Sequence, residues 1–235
     1  MNAAPKCWAV IPAAGVGQRV GASKPKQYLQ IADKTVLQHA VSNFVDNDRI
    51  AGLIISLHSN DQTFTTLNFC SENTSIYSVT GGDSRAESVL NALNFLDDIA
   101  SEQDFVLVHD AARPCLKRLD LDTLMDCCLQ DDVGGILAAP VSDTIKKVSS
   151  DRVLGTLDRD QIWRALTPQM FKLGLLKQAL TSAINNDVLI TDEASAIENA
   201  GYNPIIVAGC EQNIKITYSS DLKIAEMFLK SMDEI

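Results

Sequence analysis

Apolar residues in this chain gather in short continuous runs, and between the runs they recur with a helical period. Residues 7–11, 52–57 (GLIISL), 75–80, 104–109 (DFVLVH) and 134–141 (GGILAAPV) are such runs. Runs of this length bounded by turn residues read as strands buried on both faces. Shorter strands are expected at 204–208 and 213–217. Residues 35–46 place Val36, Leu37, Ala40, Val41, Phe44 and Val45 at i, i+1, i+4, i+5 spacing, which predicts an amphipathic helix. Further helices are predicted at 60–69, 85–97, 119–130, 171–185, 192–200 (closed by Gly201) and 220–231. Ser84 and Glu87 have capping-box spacing before 85–97. LTPQMF (166–171) and LITDEAS (189–195) read as helix starts, with Thr191 as an N-cap ahead of Asp192 and Glu193. Residues 144–158 alternate weakly among turn signals and predict an excursion from the main layer. Alternating strands and helices predict one α/β domain over 1–235 with a mostly parallel sheet. Ligands of such sheets lie outside the carboxyl ends of the strands.

Composition narrows the class. The 235 residues are 46% hydrophobic and 21% charged, ordinary for a globular protein, with net charge −10. An acidic chain is a poor partner for nucleic acid or anionic membrane. No apolar run approaches the ~18 residues of a membrane span, and the N-terminus MNAAPKCWAVIP lacks the pattern of a signal peptide. The six cysteines form no CxxC pair or zinc spacing, so free thiols in a reducing cytoplasm are expected, most of them core residues, including Cys127 and Cys128. His39, His58 and His109 have no evident nucleophile beside them and are assigned to structure.

Against the acidic background, residues 9–28 (AVIPAAGVGQRVGASKPKQY) stand out. A strand empties into a loop with Gly15 and Gly17, followed by Arg19, Lys24 and Lys26. Glycine lets backbone N–H groups approach an anion, and the cations neutralise it, so the pattern points to phosphate. The spacing of Gly15, Gly17 and Gly21 is one residue longer than the dinucleotide fingerprint, and Pro25 interrupts the helix that fingerprint requires. The P-loop signature is absent. VLVHDAARP (106–114) puts Asp110 after a strand, where it could meet a hydroxyl or Mg²⁺ or cap a helix, and Arg113 where it could clamp a phosphate or lie on the surface. GGDSRAESV (81–89) offers backbone N–H groups at a helix start. Lys215, within QNIKIT (212–217), sits in an apolar stretch, at a sheet edge or pointing into a site.

The blocks PAAGVGQR, PKQYL, GGDSRAESV, VHDAARP, APVSDT, ALTPQ, TDEASA and NIKIT occur in one order along the chain. In that order they resemble the 2-C-methyl-D-erythritol 4-phosphate cytidylyltransferases nearly end to end. The resemblance implies a Rossmann-like nucleotidyltransferase fold, mostly parallel, with a projecting β-arm near 141–166, and a homodimer. It implies cytidylyl transfer from CTP to methylerythritol phosphate with Mg²⁺ or another divalent cation. It assigns Ala13, Ala14, Gly15 and Gly17 to the triphosphate, and Arg19 and Lys26 to the transition state. Gly82, Asp83 and Ser88 would read the cytidine, with Asp110 and Ala111 nearby. Asp110, Arg113, Thr144, Arg159, Thr167, Thr191 and Lys215 would surround the sugar phosphate, with Arg159 and Lys215 aiming the incoming phosphate. Asp110 is also the candidate metal ligand, and Thr144 and Arg159 would serve the partner's site across the dimer. Ala32 or Asp33 stands where the family often has glycine, and Gln212 where it often has an acidic residue. A relative acting on ribitol 5-phosphate, a binding module without turnover, and a dinucleotide oxidoreductase are the alternatives. Some relatives carry a second fused enzyme; the chain's end soon after its last helix predicts none here.

Overall fold

The computed structural model describes residues 4–15, 24–69, 71 and 73–233. Strand β1 (Cys7–Pro12) pairs in parallel with β4 (Ile50–Leu57) on one side and β6 (Phe105–Val108) on the other. Beyond β4 lies β5 (Ile76–Thr80), again parallel. β2 (Gln30–Ile31) and β3 (Lys34–Thr35) form a separate small hairpin. On the other flank come β7 (Gly134–Pro140), β10 (Trp163–Lys172) and β11 (Ile205–Ala208). The seven-stranded order is β11-β7-β10-β6-β1-β4-β5, with β10 antiparallel to both its neighbours.

Strand side chains alternate between faces, so the apolar run of β1 serves two cores. Ala9 and Ile11 join Leu53, Ile55 and Leu107 on one face, covered by α1 (Val36–Val41) and α3 (Arg118–Cys128). Trp8 and Val10 join Ile54, Val106 and Val108 on the other. That face is covered by α2 (Arg85–Leu96), α4 (Leu173–Asn185) and α5 (Glu193–Asn199). Helix α6 (Ser219–Asp233) packs through Ala225 on a third cluster with Ile31, Val36 and Ile216. Among the described residues no helix is long and apolar enough to cross a membrane.

Several expectations are corrected. Residues 60–69 form no α-helix; they hold one 3₁₀ turn, Phe64–Thr66, where the Asp61 carboxylate accepts from the Thr63 and Phe64 amides. Side chains that bond the local backbone in this way compete with helix. Residues 166–171 start no helix but lie in β10. Pro168 argues against a central strand, and the structure accommodates it where the β10–β7 register slips, between Ala165 and Gln169. The helix at 35–46 stops at Val41. Residues 213–217 join no ladder; Ile216 N–H donates to the Ala112 carbonyl (2.8 Å), and side-chain bonds at Asn213 and Ile216 hold the segment beside the sheet. Cys128 is core but Cys127 is exposed.

The excursion is an antiparallel hairpin, β8 (Lys146–Ser149) and β9 (Arg152–Thr156), exposed along its length. The chain leaves the sheet after Pro140 and returns at Trp163, which pairs with it.

In the β2–β3 turn Ala32 has φ +53°, a left-handed conformation that favours glycine. Ala32→Gly is expected to raise stability by up to about 1 kcal/mol, the relieved strain exceeding the added chain entropy. Urea-midpoint comparison with wild type measures it; a loss of stability would show the strain to be negligible.

Candidate active site

The carboxyl ends of β1 and β6 and the turn after β5 open onto a cleft of about 540 Å³, within the range of small-molecule sites. Its first wall is Ala13-Ala14-Gly15, directly after β1. The Ala13 amide donates to the Ser56 carbonyl (2.8 Å). Buried Gln27 donates from Nε2 to the carbonyls of Ala13 (2.8 Å) and Gly15 (3.3 Å). Gln27 lies in a 3₁₀ turn, Lys26–Tyr28, entered from Pro25. That turn brings Lys26 to the cleft, its Nζ 3.2 Å from the Ile216 carbonyl. Gly17 and Arg19 lie outside the described residues.

The second wall is Gly82, Asp83 and Ser88, at the start of α2. Ser84 caps the helix with Glu87 in the expected capping box. The Gly82 amide donates to Ser88 Oγ (3.1 Å), which fixes the turn. A Cβ at Gly81 would lie 2.5 Å from Ala14 Cβ, so the two walls approach too closely for a side chain there.

The floor is Asp110, Ala111 and Lys215. Asp110 caps no helix. Its amide donates to Thr167 Oγ1 (3.1 Å), which sits 3.0 Å from His109 Nδ1. His109 Nε2 is 3.0 Å from the Arg113 carbonyl. A carbonyl only accepts, so Nε2 carries the proton and Nδ1 accepts from the Thr167 hydroxyl. The carboxylate faces three cations: Arg85 Nε at 3.0 Å, Lys215 Nζ at 2.8 Å and Arg113 Nε at 3.5 Å. Burial raises its pKa, but the joint attraction of these cations outweighs burial and holds it well below the usual carboxylate range. A divalent ion at Asp110 would therefore have to displace cations already in contact with both oxygens. Among the described residues no cluster of three or more His, Cys, Asp or Glu side chains could hold a metal ion.

Ten sequence-predicted residues line one cleft: the two walls, the floor and Lys26. Others lie elsewhere. Arg113 turns its guanidinium into the protein, donating to the Asn213 carbonyl (2.7 Å). Thr167 is buried behind Asp110. Thr191 is exposed; the N-cap of α5 is Asp192, which accepts from the Ser195 amide (2.9 Å). Thr144 and Arg159 lie on the exposed arm, with Arg159 Nη1 donating to the Ser142 carbonyl (2.9 Å).

Sequence reasoning missed Arg85 and Glu193. Arg85 joins Asp110 to the fully buried Glu193, with Nη1–Oε1 at 2.6 Å and Nη2–Oε2 at 3.0 Å. One signal existed: a cation at the first residue of a helix opposes its dipole, which suggests a reason beyond local stability.

Burial lowers the His109 pKa from 6.5 to about 4. The unfolded chain takes up this proton first as pH falls, so stability is lost progressively between those two values. The loss is at most about 3 kcal/mol. Urea midpoints from pH 7.5 to 4.5 should show the slope, and His109→Gln should flatten it. An unchanged slope would exclude His109 as its source.

A sequence model of the 2-C-methyl-D-erythritol 4-phosphate cytidylyltransferase family matches residues 7–231. The chain is similar to the cytidylyltransferase of that name from Pseudomonas savastanoi pv. phaseolicola, 52% identical over 221 residues, covering 93% of each chain. It is similar in structure to a 4-diphosphocytidyl-2C-methyl-D-erythritol synthase, with TM-score 0.83, 36% identity, and coverage of 97% of this chain and 100% of the other. The Francisella tularensis 2-C-methyl-D-erythritol 4-phosphate cytidylyltransferase gives TM-score 0.81 and 36% identity, covering 95% and 99%. A match of this extent, spanning every residue that lines the cleft, means that the chain belongs to the 2-C-methyl-D-erythritol 4-phosphate cytidylyltransferase family.

Proposed function

We propose that this chain transfers the cytidylyl group of CTP to 2-C-methyl-D-erythritol 4-phosphate, forming CDP-methylerythritol and pyrophosphate in the non-mevalonate route to isoprenoid precursors. The observation that carries the chemistry is a cleft at strand carboxyl ends where a small-residue loop, a helix start and two lysines converge. An oxygen of the sugar phosphate attacks the α-phosphorus of CTP, and the bond to the β-phosphate oxygen breaks. The attacking phosphate has a second pKa near ~6, so it is largely dianionic at neutral pH and needs no general base. The protein's task is then to position two anions and offset their charge.

In this reading Ala13, Ala14, Gly15 and Gly17 wrap the triphosphate, while Gly82, Asp83, Ser88, Asp110 and Ala111 hold the cytidine. Arg19 and Lys26 offset charge at the α-phosphorus. Lys215 meets the sugar phosphate together with Thr191, while Arg113, turned into the protein, supports Asp110 and Asn213 from behind. Mg²⁺ or another divalent cation would accompany the nucleotide and offset part of its charge. Because the donor set around Asp110 does not suit a resident metal, no step is assigned to one. A cytoplasmic location is part of the same reading, supported by the free cysteines Cys7, Cys115, Cys127, Cys128 and Cys210.

The decisive assay is pyrophosphate release with CTP and Mg²⁺, comparing methylerythritol phosphate and ribitol 5-phosphate. Release with the first alone supports the reading; preference for the second moves the enzyme to polyol-phosphate metabolism with the same chemistry.

The reading includes a homodimer in which each arm brings Arg159 and Thr144 to the partner's cleft. Both are exposed and neither lines the cleft of its own chain, which supports it. Arg159→Ala should weaken use of the sugar phosphate and leave CTP binding intact. Mixed with Lys26→Ala subunits, it should recover activity, because one site in each heterodimer is intact. Mixtures that stay inactive after proven subunit exchange would refute the shared arm.

A further inference from the structure

We propose that Arg85 and Glu193 form a positioning pair that orients Asp110 and, through it, the ammonium of Lys215. The inference rests on the cytidylyltransferase reading for its role, although its geometry stands independently.

Glu193 is a fixed point. It is 0% exposed at the first residue of α5. That helix start is tied to β10 by two bonds of Gln169, Nε2 to Asp192 Oδ2 and Oε1 from the Ala194 amide, each 2.8 Å. Glu193 holds both Nη atoms of Arg85, which leaves Nε for Asp110 Oδ1. An arginine fork can bridge two carboxylates in one plane; a lysine point charge cannot reproduce this geometry.

Fold stability alone does not account for the pair. Apolar residues of similar volume commonly replace a buried ion pair without loss, and a cation at the start of α2 opposes the helix dipole. The pair does supply direction. With Asp110 Oδ1 engaged by Arg85, Oδ2 faces Lys215 Nζ at 2.8 Å. Lys215 is on a segment without a strand ladder, its side chain 42% exposed, so this contact restrains an otherwise mobile ammonium. Arg85 follows the nucleotide-side turn, and Glu193 lies two residues past Thr191 on the sugar-phosphate side. The pair therefore links the two proposed half-sites.

The test is a double-mutant cycle on pyrophosphate release. Glu193→Gln places an amide donor against a guanidinium donor and should release Arg85. We expect kcat to fall about 10- to 10²-fold, the scale of an ångström-sized misplacement. In a Lys215→Ala background the same change should cost less than about threefold, because the group it positions is gone. Fully additive losses would overturn the proposal. The paired variant Arg85→Met with Glu193→Leu removes both charges and should keep the urea midpoint near wild type while still losing turnover. Wild-type turnover in that variant would also overturn it. A crystal structure of Glu193→Gln gives a readout independent of activity: Lys215 Nζ should leave Asp110 Oδ2, and an unchanged contact counts against the pair. Wild-type protein that releases no pyrophosphate with either polyol phosphate would refute the function, while the crystal structure would still judge the pair.

Discussion

Lys26→Ala should lower kcat by about 10²-fold or more, the scale of losing one charge-stabilising donor in an enclosed site. Two anions must approach within bonding distance in the proposed reaction, so cations at the cleft contribute where charge grows rather than where substrate merely rests. Lys26 is placed for this by a 3₁₀ turn that Pro25 introduces and buried Gln27 anchors to the glycine loop. The substitution leaves those anchors in place, so the thermal midpoint should move little while turnover collapses. Lys26→Arg keeps the charge and should recover part of the rate. Arg19→Ala is expected to show a comparable loss. Steady-state pyrophosphate release at saturating CTP is the measurement, and wild-type kcat in either alanine variant would remove that residue from the chemistry.

Asp110→Asn should be the most destabilising single change at the site. It removes the carboxylate facing Arg85, Lys215 and Arg113, with Glu193 left as the remaining anion of the group. Breaking a buried ion pair from one side typically costs about 3–5 kcal/mol; with Lys215 42% exposed and Arg85 still held by Glu193, the lower end of that range is expected, carried chiefly by Arg113. Turnover should fall as well, since Lys215 loses its anchor. The pH dependence separates this group from His109. The folded pKa of Asp110 is depressed, so its contribution is present above the unfolded carboxyl value of ~3.9 and is lost as pH falls below it toward the folded value. The His109 loss occurs higher, between 6.5 and about 4. Urea titrations across both windows should therefore show two slopes in wild type, with Asp110→Asn flattening only the acid one. An asparagine variant as stable as wild type would mean that water already compensates the cations.

Much of the site was legible along the chain because its parts are local. A strand followed by small residues, a capping box at Ser84 and Glu87, and a lysine in an apolar stretch each depend on neighbours a few positions away. What failed was also local in cause. Pro168 concealed β10, since proline is ordinarily excluded from central strands, and the register slip that admits it cannot be read from composition. Phe64 and Leu67 have helical spacing, yet the side chains of Asp61 and Thr66 bond the local backbone instead.

By itself, then, the sequence determined the α/β class, the glycine loop with its cations, and the family, all properties of short segments and their order. Tertiary structure alone decided that Asp110 is surrounded by Arg85, Arg113 and Lys215, that Arg113 points into the protein, and that Arg85 meets Glu193 across 108 positions. Those contacts depend on an antiparallel strand placed between β6 and β7 and on a helix start fixed beside it. Side chains so far apart in sequence acquire a common environment when the sheet closes, and that environment, rather than residue type, sets their charge state and direction.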